Sequence, residues 1–150
     1  MYGKILVPVD GSETSKRGLA EACRLAKEQD ARLRCLHVID EHYLTANYLG
    51  VMYLPEIVDK LRDNGKEILN EAAEQARMSG MEVESVLRES AERRVSDVIV
   101  DEAKMWAADL IVMGTHGRRG LGHLALGSDA ETVVRNSPVP VLLVRTSNVP

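Results

Sequence analysis

Apolar residues occur along the chain in short runs that are separated by longer amphipathic segments. Runs of this length, closed by turn-forming residues, are typical of buried strands. Five such runs predict strands at residues 5–9, 33–39, 83–87, 110–113 and 139–144. The parallel sheet that such runs build in α/β proteins is covered on both faces, which suits their nearly continuous apolar character.

The segments between these runs carry apolar residues at helical spacing and predict four helices. Polar or proline residues mark where each helix should begin. In chain order these are Asp10 with Ser12, Pro55, Ser90 and Ser128. Gly80 is expected to end the second helix and Pro138 the last. The alternation of strand and helix predicts a single α/β domain over residues 1–150, with helices on both faces of the sheet.

One long connection, from Asp40 to Leu54, has no clear period. Loops of this length in compact domains are commonly functional or disordered. Its tyrosines Tyr43, Tyr48 and Tyr53 could form a flap over a ligand or a partner contact, or the segment could be a loose surface loop.

Composition narrows the range of partners. The chain is 45% hydrophobic, only 3% aromatic, and carries a net charge of −4. This balance argues against nucleic acid or an anionic membrane as a partner. The N-terminal apolar run is too short for a signal peptide, and no apolar stretch is long enough to span a membrane, so we expect a cytoplasmic protein. Cys23 and Cys35 are expected to be buried, reduced thiols.

A glycine-rich loop between the fourth strand and the last helix is the candidate ligand-binding segment of the chain. It reads Met113-Gly114-Thr115-His116-Gly117, then nine residues, then Gly127-Ser128. A glycine after a strand lets the backbone turn tightly and approach a ligand, and a helix start offers free N–H groups to phosphate. Arg118 and Arg119 could meet outer phosphates. The loop predicts a phosphate site, and the alternative is a flexible linker in which Ser128 only caps the helix.

Two better-known phosphate motifs are excluded. The pattern G-x4-G-K-[ST] of the Walker A loop is absent. Residues 120–125 match G-x-G-x-x-A, but no strand directly precedes them and Leu142 stands where an acid should follow. The dinucleotide-binding interpretation is therefore rejected.

The glycine pattern and three other segments resemble the universal stress protein family, over residues 5–145. The spacing G-x2-G-x9-G-[ST] of its ATP-binding members is matched in full, and residues 7–12, 36–40 and 137–145 are similar to family signatures. The resemblance implies a Rossmann-like nucleotide-binding fold, a five-stranded parallel sheet of order 3-2-1-4-5. In such a sheet, ligands bind beyond the strand ends where the order reverses, between strands 1 and 4.

The resemblance also implies site residues. It places Pro8, Val9 and Asp10 by the adenosine, the main chain of Val38 at the adenine edge, Met113 and Gly114 at the ribose and α-phosphate, and Gly117, Gly127 and Ser128 around the phosphates. His116 and Arg118 are further candidate contacts. Asp129 departs from the family pattern, because a carboxylate there would repel outer phosphates unless Mg²⁺ bridges them. It also suits the first turn of a helix, which leaves the choice among ATP, ADP and AMP open.

Three functions remain in contention. A phosphate cradle without an evident catalytic base favours an ATP-binding stress-response regulator. A slow Mg²⁺-dependent ATP hydrolase or phosphotransfer enzyme would need His116 or Asp10 to assist. A non-nucleotide interaction protein would use the last strand, from Val139 to Val144, through which the family commonly forms homodimers. The histidines lack zinc-ligand spacing, so no metal site is predicted.

Overall fold

The computed structural model describes residues 1–41, 55–116 and 126–146. Its sheet has five parallel strands in the order β3-β2-β1-β4-β5, which confirms the predicted fold class. The strands are β1 Lys4–Pro8, β2 Arg32–Ile39, β3 Val83–Glu89, β4 Leu110–Gly114 and β5 Val141–Val144. Because β1 pairs with both β2 and β4, it lies at the centre of the sheet.

Within the described residues, helices cover both faces of this sheet. They are α1 Glu13–Gln29, α2 Pro55–Met78, α3 Val95–Trp106 and α4 Ser128–Asn136. Successive residues of β1 point to opposite faces, as a strand requires. Ile5 and Val7 pack with α1 and α2, whereas Leu6 packs with α3 and α4.

The start of α1 follows the sequence prediction. Ser12 is the N-cap, and its Oγ accepts the N–H of Ser15 at 3.2 Å. Asp10 Oδ1 in turn accepts the N–H of Ser12 at 2.9 Å. These bonds satisfy donors that the first helical turn leaves unpaired, and they give the β1–α1 loop one defined shape.

The prediction that Ser90 caps the third helix is wrong. The helix begins five residues later, with Arg94 as its N-cap. Ser90 is 1% exposed, and its Oγ accepts the N–H of Glu41 at 2.9 Å. Its N–H donates to Ile39 O at 3.0 Å, so this serine ties the exit of β3 to the exit of β2. A left-handed residue, Ala91, then turns the chain toward α3.

Both cysteines lie in the core beneath α1, and both are free thiols, as expected. Burial raises the pKa of Cys35 to about 12, because the thiolate would lose its hydration. A thiol held this far from ionisation is a poor nucleophile.

A buried carboxylate joins α3 to the sheet. Glu102 is 1% exposed, and it accepts from Arg34 Nη1 at 2.8 Å and from Arg88 Nε at 2.9 Å. The Arg34 guanidinium also lies 4.5 Å from the ring centroid of Trp106. Two cationic partners compensate the charge of Glu102, which would otherwise be costly to bury.

Candidate functional site

The sheet order reverses between β1 and β4, and both strands leave the sheet at the same edge. Ile5 is paired with Leu110 and Leu6 with Ile111 in parallel register. Pro8 and Gly114 end these strands. A crevice at such a point is where open α/β sheets bind ligands. We refer to its two sides as the first wall, residues 9–15, and the second wall, residues 113–116 with 126–129.

The first wall is bonded to the neighbouring strand β2. Val9 N–H donates to Leu36 O at 2.8 Å, and Val9 O lies 2.7 Å from His37 Nδ1. A carbonyl only accepts, so the His37 ring donates from Nδ1. The half-buried Asp10 follows, with its N–H 3.3 Å from Ser15 Oγ. These bonds fix where the loop carrying Asp10 leaves the sheet.

The second wall brings the start of α4 to the exit of β4. Thr115 N–H donates to Val144 O at 3.0 Å, and Thr115 O accepts from Gly127 N–H at 2.7 Å. Thr115 Oγ1 lies 2.8 Å from His116 Nδ1. The helix therefore begins beside the strand end although eleven residues of chain separate Thr115 from Gly127.

Gly127, and not Ser128, is the N-cap of α4. The expectation that Ser128 caps the helix, part of the flexible-linker alternative, is thus wrong, whereas the linker itself, residues 117–125, lies outside the described residues. Gly127 has no side chain with which to cap this end, and the first amides of an α-helix have no carbonyl partner within the helix. These N–H groups, with the partial positive charge of the helix end, are suited to an anion. Asp129 and Glu131 are acids in the same turn.

The two walls touch through α1. Thr14 Oγ1 donates a hydrogen bond to the carbonyl of His116. A Cβ built on Gly114 would lie 2.8 Å from Thr14, closer than such atoms approach. Glycine at 114 is therefore required by the packing of α1 on β4, besides any approach of a ligand.

Most of the predicted site residues gather at this edge. They are Pro8, Val9, Asp10, Val38, Met113, Gly114, His116, Gly127, Ser128 and Asp129. The side chains of Val38 and Met113 are buried in the core on the α3 side, so their main chain is what they offer to the edge. Gly117 and Arg118, and residues 42–54 of the long connection, lie outside the described residues.

Thr14 lies at the site but was not predicted from the sequence as a site residue. Its type and its place in the first turn of α1 resemble those of any helix-start threonine. Only the strand order, which sets β4 beside β1, brings its hydroxyl to His116.

A groove of about 490 Å³ adjoins the first wall on the side of α1 and α2. It shares Val9, Gly11 and Ser15 with that wall, and Leu19, Ile68 and Ala72 line it further in. None of its lining residues belongs to the second wall, so it is separate from the helix end that suits an anion.

Known proteins match this chain over nearly its whole length. The model of the universal stress protein family matches residues 1–145. The chain belongs to the universal stress protein family. Its relatives include the universal stress protein YxiE of Bacillus subtilis, 38% identical over 97% of this chain and 100% of the relative.

Solved structures of the family share this fold. MJ0577 of Methanocaldococcus jannaschii superposes with a TM-score of 0.83, at 30% identity over 99% of both chains. A universal stress protein in complex with cAMP gives a TM-score of 0.69, at 27% identity over 97% of this chain and 98% of that one. The universal stress protein of Archaeoglobus fulgidus in complex with dAMP gives a TM-score of 0.69, at 26% identity over 95% of this chain and 98% of that one.

Two features are absent from the described residues. No helix in these parts of the chain has the length and apolar character needed to cross a membrane. No three His, Cys, Asp or Glu side chains among the same residues form a group that could hold a metal ion.

Proposed function

We propose that this protein binds ATP, or another adenine nucleotide, in the crevice between β1 and β4 and acts as a stress-response regulator. The observation that carries the proposal is the position of α4. Its N-terminus, which begins at a glycine N-cap, is held at the exit of β4 by the Gly127–Thr115 bond, where the strand order reverses.

The two walls suit the two ends of such a ligand. Phosphate fits the start of α4 at residues 128 and 129, because the N–H groups of a first helical turn point out of the helix and the helix dipole favours an anion. The adenosine would then lie toward Asp10 and the end of β2. Family members in complex with cAMP and dAMP, both adenine nucleotides, support this class of ligand.

A binding role needs no chemistry on the nucleotide. A ligand that binds only the folded state stabilises it by RT ln(1 + [L]/Kd), so occupancy can follow the nucleotide concentration in the cell. A protein of this kind could change its partners as that concentration changes. The hydrolase alternative would instead require Mg²⁺-dependent phosphate release that is lost in His116→Ala or Asp10→Ala.

Gly127 offers a matched pair of variants for testing the phosphate end. Its φ of −59° is one that proline and alanine both adopt, so neither substitution is strained by that angle. Gly127→Pro removes the N–H that bonds Thr115 O, whereas Gly127→Ala keeps it. We expect the proline variant to bind ATP about tenfold more weakly, the scale of one lost hydrogen bond, and the alanine variant to stay near wild type.

The measurement is isothermal titration of the three proteins with ATP, ADP and AMP, with GTP as a comparison. Nucleotide that copurifies with the wild type is first released by denaturation and identified by chromatography. A wild type that carries no nucleotide and binds none would refute the proposal, and full affinity in Gly127→Pro would refute this placement of the phosphates. Gly114→Val is unsuitable, because its side chain would collide with Thr14.

A further inference from the structure

We propose that Thr14 is a positioning residue, which joins the two walls of the crevice and orients the peptide unit that opens the glycine-rich loop. This inference rests on the proposed nucleotide site. Thr14 lies in the first turn of α1, is 6% exposed, and is bonded to a residue 102 positions away along the chain.

The hydrogen bonds around Thr14 have a fixed direction. The His116 carbonyl can only accept, so Thr14 Oγ1 must donate its proton to it. Ser12 Oγ lies 3.2 Å from Thr14 Oγ1, and with the threonine proton already committed, Ser12 is the donor of that pair. Ser12 Oγ also accepts the N–H of Ser15. A continuous chain of bonds thus runs from the cap of α1 to the exit of β4.

Two glycines allow α1 to lie close to the end of β4. Gly18 is buried, and a Cβ on it would lie 3.4 Å from the backbone nitrogen of Gly114. Gly114 itself leaves the space that Thr14 occupies. Burial keeps water from replacing the hydroxyl, so removing it would leave the His116 carbonyl without this donor.

The bonded carbonyl belongs to His116, where the chain leaves β4 for the glycine-rich loop. Because a peptide unit is planar, a donor that fixes its carbonyl fixes the orientation of the whole unit. His116 directly follows Thr115, whose own carbonyl bonds the start of α4. Thr14 thus holds the backbone beside the helix end to which the proposed function assigns phosphate.

Thr14→Val and Thr14→Ser separate the hydroxyl from the packing. Valine keeps the shape and lacks the hydroxyl, whereas serine keeps the hydroxyl and lacks the methyl group. We expect ATP and AMP affinity, measured by isothermal titration well below the unfolding temperature, to fall about fivefold to tenfold in Thr14→Val. In Thr14→Ser it should stay within about twofold of wild type, because the donor remains.

Asp109→Ala is the control for a general loss of stability. Asp109 Oδ2 accepts the N–H groups of Gly3 and Lys4 at 2.8 and 2.9 Å, where β1 and β4 begin, so it lies at the sheet edge opposite the crevice. This variant should lower the unfolding temperature and leave nucleotide affinity unchanged. A parallel loss of affinity in Asp109→Ala would show that stability, and not the position of the loop, governs binding.

The outcomes separate this inference from the proposed function. If the wild type binds no nucleotide, the proposed site is refuted, and this inference with it. A wild type that binds, together with an equally tight Thr14→Val, leaves the site in place and overturns the role of Thr14. Equal weakening in the valine and serine variants also overturns it, because the methyl group and not the hydroxyl would then matter.

Discussion

Asp129 stands where two electrostatic effects oppose each other. A carboxylate in the first turn of a helix interacts favourably with the helix dipole. The same carboxylate would repel the outer phosphates of a nucleotide bound at that helix end. A single phosphate places less charge near it than a triphosphate does, and a divalent cation would offset the repulsion.

Asp129→Asn should therefore tighten ATP binding when divalent cations are removed with EDTA. We expect a gain of about twofold to fivefold, the range for an exposed charge at a helix end, and a smaller gain for AMP. Isothermal titration with EDTA and with Mg²⁺ would measure it.

Glu131→Gln is the matched control, since Glu131 is an acid in the same turn whose carboxylate is bound to Arg135 at 3.0 Å. Its removal should change ATP affinity less. An ATP affinity in Asp129→Asn that equals wild type without Mg²⁺ would show that this carboxylate does not face the phosphates.

Gly114 and Gly127 belong to one sequence motif, but their structural environments differ. Gly114 is needed because Thr14 packs against it, whereas Gly127 has an ordinary φ of −59°. The spacing of the motif predicts both positions, but it does not show that packing requires glycine at 114. A glycine in the sequence shows that a side chain is absent, and only the packing shows what takes its place.

At the scale of elements, helix α3 depends on a buried charge. Glu102 is enclosed by Arg34 and Arg88, which come from β2 and β3. Glu84 on β3 is also bonded to Arg34, at 2.6 Å, but is about one-third exposed. The guanidinium of Arg34 therefore serves two carboxylates in very different surroundings.

Glu102→Gln should lower the free energy of unfolding by about 3 kcal/mol, because it leaves two arginines without their buried counter-charge. Glu84→Gln should cost less than about 1 kcal/mol, as is usual for exposed pairs. Urea unfolding followed by circular dichroism would compare the two. Equal losses would mean that burial does not set the strength of this network.

The elements were largely predictable, and the failures have physical causes. Apolar periodicity predicted the five strands and four helices of the described residues to within a few residues, since it reflects which side chains the sheet and helices bury. The prediction that Ser90 is a helix cap failed because the local sequence is the same whether a serine before an amphipathic segment caps the helix or bonds to another strand. Thr14 was missed because its partner depends on strand order, which periodicity does not encode and which here came from a family resemblance.

At the scale of the whole molecule, β5 is an edge strand. It pairs with β4 on one side, and its four residues are half-buried. An edge strand exposes N–H and C=O groups that can pair with another chain. The hypothesis that two copies join through residues 139–144 remains a prediction.

Light scattering over micromolar to hundreds of micromolar protein should give the mass of a dimer. Val141→Lys places a charge on this strand and should shift the equilibrium toward monomer, since lysine discourages edge pairing. Circular dichroism would check that the variant is folded. A wild type that is monomeric at every concentration would contradict the dimer.

The bond between Thr14 and His116 also bears on biosynthesis, because it joins residues 102 positions apart. While the ribosome is still translating the middle of the chain, only the first wall exists, and it has nothing to close against. A nucleotide bound as we propose would therefore not assist the early folding of the nascent chain. A product released before β4 would retain Asp10 and lack the proposed phosphate amides, so that on this proposal ligand occupancy would distinguish completed chains from fragments.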